Sequence, residues 1–189
     1  MAHRPTLQTI VLFISSNEIL LSIEERYGFS IKVSSLSKEM EVFHDDYEPV
    51  PNINRYEIIK SLGGGTYGEV KKAFDTYHGK FVAIKYVRLM NKKNGLPKAV
   101  FREIESLKQL SECIHVVKLI NIFATDTNVC LVTEFVETDL QKVIGRSKQA
   151  IPREQLKAFY QMMLRSIEFC HSHHIIHRDI KPSSSSLLY

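Results

Sequence analysis

"RYEIIKSLGGGTYGEVKKAF" occupies residues 55–74 and gathers four glycines, Gly63, Gly64, Gly65 and Gly68, between two stretches of mixed apolar and polar residues. Short alternating runs enter and leave a glycine-rich turn, which is the period-two pattern of paired strands and not the 3.6-residue period of a helix. Gly63, Gly65 and Gly68 have the spacing G-x-G-x-x-G. Those letters alone fit a dinucleotide-binding turn as well as a flap between two strands. A dinucleotide turn opens a helix, whereas strand-like sequence follows here, so the flap is favoured. With no Cβ in the way, such a flap can lay its backbone N–H groups over phosphates. "DTYHGK" (75–80) then reads as a second turn and "FVAIKYV" (81–87) as the next strand of an antiparallel run.

Alternation along that strand puts Ala83 and Lys85 on one face and Val82 and Ile84 on the other. A small side chain leaves room for a flat ring, and an ammonium two residues on can reach its phosphates. A surface lysine on an edge strand is the other reading of Lys85. Downstream, "LPKAVFREIESLKQL" (96–110) has Pro97 at a helix start, with Ala99, Glu103, Leu107 and Leu110 on one stripe. Glu103 is thus a charge among apolar neighbours, costly unless paired, and Lys85 is the candidate cation. Alternatively, Glu103 snorkels at the margin of the stripe.

"GGGTYGEV" (63–70), "VAIK" (82–85), "FREI" (101–104) and "HRDIKP" (177–182) occur in the order, and at about the spacings, of the protein-kinase signature set. From residue 55 to about 183 the chain resembles the eukaryotic Ser/Thr protein kinases. Within them, "NGLPKAVFREI", "FCHSHHIIHRDIKP" and the pair Thr66-Tyr67 resemble the cyclin-dependent kinases. The resemblance implies an α+β kinase-like fold, with a complete antiparallel-sheet lobe, a cyclin-docking-type helix and the first helices of a second lobe. It also implies ATP-dependent phosphoryl transfer to protein Ser or Thr, with ATP and Mg2+ as cofactors and a cyclin as partner. A non-catalytic module that binds a cyclin or ATP is the alternative.

Carried over residue by residue, the resemblance makes Leu62, Val70 and Ala83 enclose the adenine. Gly63, Gly64, Gly65, Thr66, Tyr67 and Gly68 form the phosphate flap. Lys85 holds the α- and β-phosphates and Glu103 orients it. "CLVTEFVETDL" (130–140) matches the hinge, with Thr133 as gatekeeper, Glu134 and Val136 offering backbone to adenine, and Asp139 touching the ribose. Thr138 and Gln141 have capping-box spacing for the helix that follows. Asp179 is the expected general base, Lys181 faces the γ-phosphate, and His177 braces the loop. Thr66 and Tyr67 are expected regulatory phosphosites, where added charge would repel nucleotide. Pro97, Val100, Arg102 and Ile104 are the expected cyclin-facing residues.

One departure concerns metal. The family places Asn five residues after the catalytic Asp, and this chain has Ser184 there, inside "SSSS". Serine is shorter and lacks the amide oxygen that ligates magnesium, so no metal ligand is expected to be retained. No D-F-G follows before Tyr189, and the expectation is a truncated, catalytically impaired kinase domain over 55–189.

The rest of the sequence sets outer bounds. A chain of 189 residues with 44% hydrophobic content can build a sizeable core, and a formal charge of +4, dispersed among acids, is a solvated surface and not a nucleic-acid footprint. Cys113, Cys130 and Cys170 have no paired spacing, which fits a reducing, intracellular setting in cytoplasm or nucleus. The apolar run at residues 10–14 is too short for a signal core or a membrane span. Residues 1–54 read as a poorly ordered extension and linker. Leu156, Phe159, Met163, Ile167 and Cys170 form one apolar stripe on a helix beginning near Pro152, read as core. The histidines at 171, 173, 174 and 177 lack convincing metal-ligand geometry.

Overall fold

The computed structural model describes residues 9–12, 52–65, 68–89, 97–146 and 150–188. The strands are β1 (Thr9–Leu12), β2 (Tyr56–Gly65), β3 (Gly68–Asp75), β4 (Lys80–Arg88), β5 (Leu119–Ala124), β6 (Asn128–Glu134), β7 (Thr138–Asp139) and β8 (Ser185–Leu188). The helices are α1 (Lys98–Gln109), α2 (Leu140–Arg146) and α3 (Arg153–Ser172). The architecture is α+β, in two compact units. One holds β2 to β6 and residues 97–101, and the other holds β1, residues 102–117, β7, α2, α3 and β8.

The sheet unit is an antiparallel five-stranded sheet of order β2-β3-β4-β6-β5. Val82 and Ile84, both fully buried, point with Ala73, Cys130 and Val132 to a core face closed by Tyr56 and Phe123, whose rings stack 5.5 Å apart. Each buried aliphatic side chain there contributes about 1.5–3 kcal/mol. The turn from β3 to β4 uses Gly79 at φ 64, with the Gly79 N–H donating to the Asp75 carbonyl at 2.8 Å. At its other end β3 starts on Gly68, where φ is 145 and an added Cβ would lie 1.7 Å from the Tyr86 carbonyl oxygen. Gly64 differs, since a Cβ there meets nothing nearer than 3.7 Å. Gly68→Ala is therefore expected to cost at least about 2 kcal/mol of stability and Gly64→Ala under about 1 kcal/mol, by chemical denaturation of the two variants.

A pin not visible in the local pattern closes the far end of the β2–β3 hairpin. Arg55 Nε and Nη2 donate to Asp75 Oδ1 and Oδ2 at 2.8 and 2.9 Å, with the Asp75 side chain fully buried. The guanidinium also lies 4.8 Å from the Tyr77 ring centroid and 5.5 Å from that of Tyr56. His78 Nδ1 is 2.8 Å from Asp75 Oδ2 and 2.6 Å from Arg55 Nη2, so the tautomer decides which of the two it bonds.

In the helical unit, Leu140 and Phe159 form a core with Val143, Ile151, Met162 and Met163 around them. Phe159, Ser166 and Cys170 are the buried residues of α3, whereas Leu156 is 39% exposed. The inward stripe thus begins one turn later than the sequence suggests, and Tyr160 and Leu164 join Leu156 as exposed apolar residues. Burial of Cys170 pushes its thiol up to about 11. The capping expectation is also corrected. Thr138 is committed to β7, opposite Leu187, so Asp139 caps α2, accepting from the Lys142 N–H at 2.8 Å. Helix α3 ends in a Schellman arrangement, with the Ile175 N–H donating to the Cys170 carbonyl and the His174 N–H to that of His171, both at 2.9 Å. His174 takes the left-handed position there, at φ 60.

A second sheet of order β1-β8-β7 completes the helical unit, with every pairing antiparallel. Residues 1–54 otherwise lie largely outside the described residues, as do Thr66 and Tyr67. Among the described residues no helix is long and apolar enough to cross a membrane.

Candidate active site

The residues singled out by sequence fall into two groups, one on each unit. On the sheet unit, register fixes which side chains share a face. Val70 is opposite Lys85 across β3–β4, and Ala83 is opposite Thr133 across β4–β6. Directly paired residues point the same way, so Val70, Ala83, Lys85 and Thr133 line one face. Ala83 is 7% exposed. Beyond the paired glycines of β2 and β3, Leu62 remains 43% exposed. This face combines a small buried side chain, a half-buried lysine and bare backbone, which suits a flat heterocycle carrying phosphates.

The edge of that face is held by contacts the sequence does not announce. The Glu134 N–H donates to the Lys118 carbonyl at 3.1 Å, and the Lys118 N–H donates to Glu134 Oε1 at 2.9 Å. The amide of Glu134 is therefore spent within the fold. Lys72, directly opposite Ala83, has its Nζ 4.0 Å from the Phe81 ring centroid and 4.1 Å from that of Phe135. Cation–π contacts of this kind contribute about 0.5–1 kcal/mol each at exposed sites. A lysine flanked in space by one aromatic from β4 and another from the segment just after β6 has no local sequence signal.

On the helical unit the chain leaves α3 at His174 and runs to Arg178, another non-glycine residue in the left-handed region, at φ 63. Such a conformation costs roughly 1–2 kcal/mol and needs support from its surroundings. His177 supplies part of it. Its ring is 3% exposed, and Nδ1 accepts the Asp179 N–H at 3.2 Å, which places the proton of the neutral ring on Nε2. Asp179 Oδ2 then lies 2.7 Å from Lys181 Nζ, with the two side chains 36% and 54% exposed. An ion pair so open to water contributes at most about 1 kcal/mol, so an incoming anionic group can replace the carboxylate at Lys181 at little cost.

Ser184 is 8% exposed and is used as scaffold. Its hydroxyl shares one proton between the carbonyls of Asp179 and Lys181, both at 2.9 Å, and accepts the Lys181 N–H at 3.1 Å. Ser185 Oγ adds a donation to the Lys181 carbonyl at 3.3 Å. With its hydroxyl turned onto backbone, Ser184 does not fit the role of a magnesium ligand. Among the described residues no group of three His, Cys, Asp or Glu side chains is placed to hold a metal ion.

Four expected positions are engaged within the fold or interior. Asp139 is half-buried, and the desolvation raises its carboxyl's pKa, but hydrogen bonds from Lys142 and the start of α2 outweigh this and hold it below the usual range. Its oxygens are thus engaged by its own helix, Oδ2 lying 2.7 Å from Lys142 Nζ. Glu103 is buried on α1, at 5% exposure. On the same helix Val100 and Ile104 are interior, at 0% and 2%, while Phe101 and Arg102 are half-buried and Lys98 is exposed; Pro97, just before the helix, is half-buried.

Comparison with known families gives one match covering most of the chain: residues 56–184 fit the protein kinase domain. Over 137 residues the chain is 40% identical to "Cyclin-dependent kinase D-1" of Arabidopsis thaliana, covering 72% of this chain and 34% of that one. "Cyclin-dependent kinase 20" of Danio rerio is 36% identical over 132 residues, covering 70% and 38%. "Cell division control protein 2 homolog C" of Antirrhinum majus is 33% identical over 143 residues, covering 70% and 47%. The chain thus spans between a third and a half of the length of these relatives.

Proposed function

Because this chain belongs to the protein kinase family, we propose that it binds ATP and transfers the γ-phosphoryl group to Ser or Thr of a protein, in the manner of the cyclin-dependent kinases it resembles. The observation that carries the reading is the Asp179–Lys181 pair, a carboxylate and an ammonium 2.7 Å apart on a loop whose carbonyls are held by Ser184. Asp179 accepts the substrate hydroxyl proton, and Lys181, released from Asp179, meets the γ-phosphate. Lys85 holds the α- and β-phosphates from the strand whose Ala83 faces the adenine, and Leu62 and Val70 complete the apolar enclosure. With the Glu134 amide already bonded, adenine recognition there falls to its carbonyl and to the backbone of Val136. Asp139 is the proposed ribose contact.

Kinase chemistry uses magnesium to neutralise the phosphates. Ser184 is a poor substitute for the ligand expected at its position, and slow turnover follows. That same observation favours a second reading, a module that retains ATP or a cyclin without turnover. Cyclin recognition is proposed at the start of α1, through Pro97, Lys98, Phe101 and Arg102, because Val100 and Ile104 are interior. Phosphorylation of Thr66 or Tyr67 would place charge beside the phosphates and oppose ATP.

The test is phosphoryl transfer from γ-labelled ATP to a generic basic protein, followed by phosphoamino-acid analysis of the product. Phosphoserine and phosphothreonine without phosphotyrosine are expected. Label on tyrosine would sink the Ser/Thr assignment, and capture of a cyclin with no label transferred would move the reading to the binding module.

A further inference from the structure

The three-stranded sheet contains an imbalance. β8 is the middle strand, yet β7 offers it only two partners, Thr138 to Leu187 and Asp139 to Ser186. A ladder that short does not hold a strand in place in water. β1 provides the other edge and pairs all four positions, Thr9 with Leu188, Ile10 with Leu187, Val11 with Ser186 and Leu12 with Ser185. Among the described residues, Leu12 is the only strand partner of Ser185. Ser185 follows directly on Ser184, and the hydroxyls of these two residues bond the carbonyls of Asp179 and Lys181. Ser185 is fully buried and Ser186 nearly so, at 6%.

We propose that Thr9–Leu12 is a built-in donor strand that braces the catalytic loop. By saturating the edge of β8 it fixes Ser184 and Ser185, and through their hydroxyls it fixes the backbone on which Asp179 and Lys181 stand. Three of the four donor residues, Ile10, Val11 and Leu12, are apolar and two of those are β-branched or strand-favouring, as a strand-addition segment requires. The β8 edge is then a docking surface for an extended apolar segment, and the chain's own N-terminal region occupies it. The role proposed for Thr9–Leu12 is positioning, through backbone pairing with β8, and it is separable from the phosphoryl-transfer reading because it can be measured without ATP.

The experiment is amide hydrogen exchange on the full chain and on Ile10→Pro/Val11→Pro. Successive N–H groups of a strand point to opposite sides, so one of the two prolines removes a donor facing β8. Exchange at residues 185–188 and at the loop 177–184 is expected to quicken by about tenfold or more, with β2 to β6 unchanged. A synthetic peptide of residues 5–16, added to the proline variant, is expected to restore protection saturably at the same residues. A chain lacking residues 1–12 serves as second variant and is expected to behave alike. Unchanged exchange at 185–188, equal quickening in every element, or loss at 185–188 with the loop still protected would each overturn the brace.

Discussion

Asp179→Asn is expected to lower phosphoryl transfer by about 100- to 10,000-fold, the range typical of losing a general base, while ATP affinity stays within about twofold. The substitution keeps the shape of the side chain and removes its ability to take a proton. Its structural cost is small, because the ion pair it breaks is 36% and 54% exposed and contributes at most about 1 kcal/mol. The loop itself is held by other atoms, the His177 ring on the Asp179 N–H and the Ser184 hydroxyl on the Asp179 carbonyl. A loss of rate with the melting transition intact therefore reports on proton transfer. Steady-state rates of the two proteins at saturating ATP make the measurement, and equal rates would remove Asp179 from the chemistry.

Arg55→Met is expected to destabilise the sheet unit by about 3–5 kcal/mol, because it strands the fully buried Asp75 carboxylate without its cation. Replacing both members, as Arg55→Met with Asp75→Leu, is expected to recover most of that loss, since an apolar pair leaves no charge to desolvate. Urea unfolding of the single and double variants decides between these outcomes. The same pair governs the acid limb. Burial alone would raise the Asp75 carboxyl, but hydrogen bonds from Arg55 and His78 outweigh it and hold the group far below its ordinary value of 3.8. A carboxyl depressed in the folded state contributes its full stability above the unfolded value, and loses it as pH falls below that value toward the folded one. Wild-type stability is therefore expected to decline below about pH 4 more steeply than that of the double variant.

Sequence and structure agree where the determining contacts are local. The alternation of residues 55–87 specifies a run of antiparallel strands because each residue's face depends only on its neighbours, and the shared face of Ala83 and Lys85 follows from it, whereas their pairing with Thr133 and Val70 comes from the completed sheet. Pro97 marks the start of α1 for a similarly local reason. The stripe on α3 was legible in period and phase, through Phe159, Met163, Ile167 and Cys170, but not in where it begins. Leu156 continues the 3.6-residue repeat, and only packing of Phe159 among Met162, Met163 and Leu140 shows that the core begins a turn later. The cap of α2 moved from Thr138 to Asp139 because strand pairing claimed Thr138 first. Contacts across long separations left no pattern to read: Arg55 with Asp75, Lys72 between Phe81 and Phe135, and β1 with β8 all depend on the completed fold. Ser184 was legible as a departure. That its hydroxyl would be turned back onto the carbonyls of Asp179 and Lys181 was not, since serine leaves its partner unspecified.

On the reading proposed above, the β2 to β6 sheet presents a nucleotide site built around Lys85. Calorimetric titration of the chain with ATP, beside Lys85→Met, tests it most directly. Saturable one-to-one binding by the wild-type chain, weakened at least about tenfold in Lys85→Met, corresponds to losing a charge-assisted contact of about 1.4 kcal/mol or more. Absence of ATP binding in the wild-type chain, or equal affinity in both proteins, would contradict it.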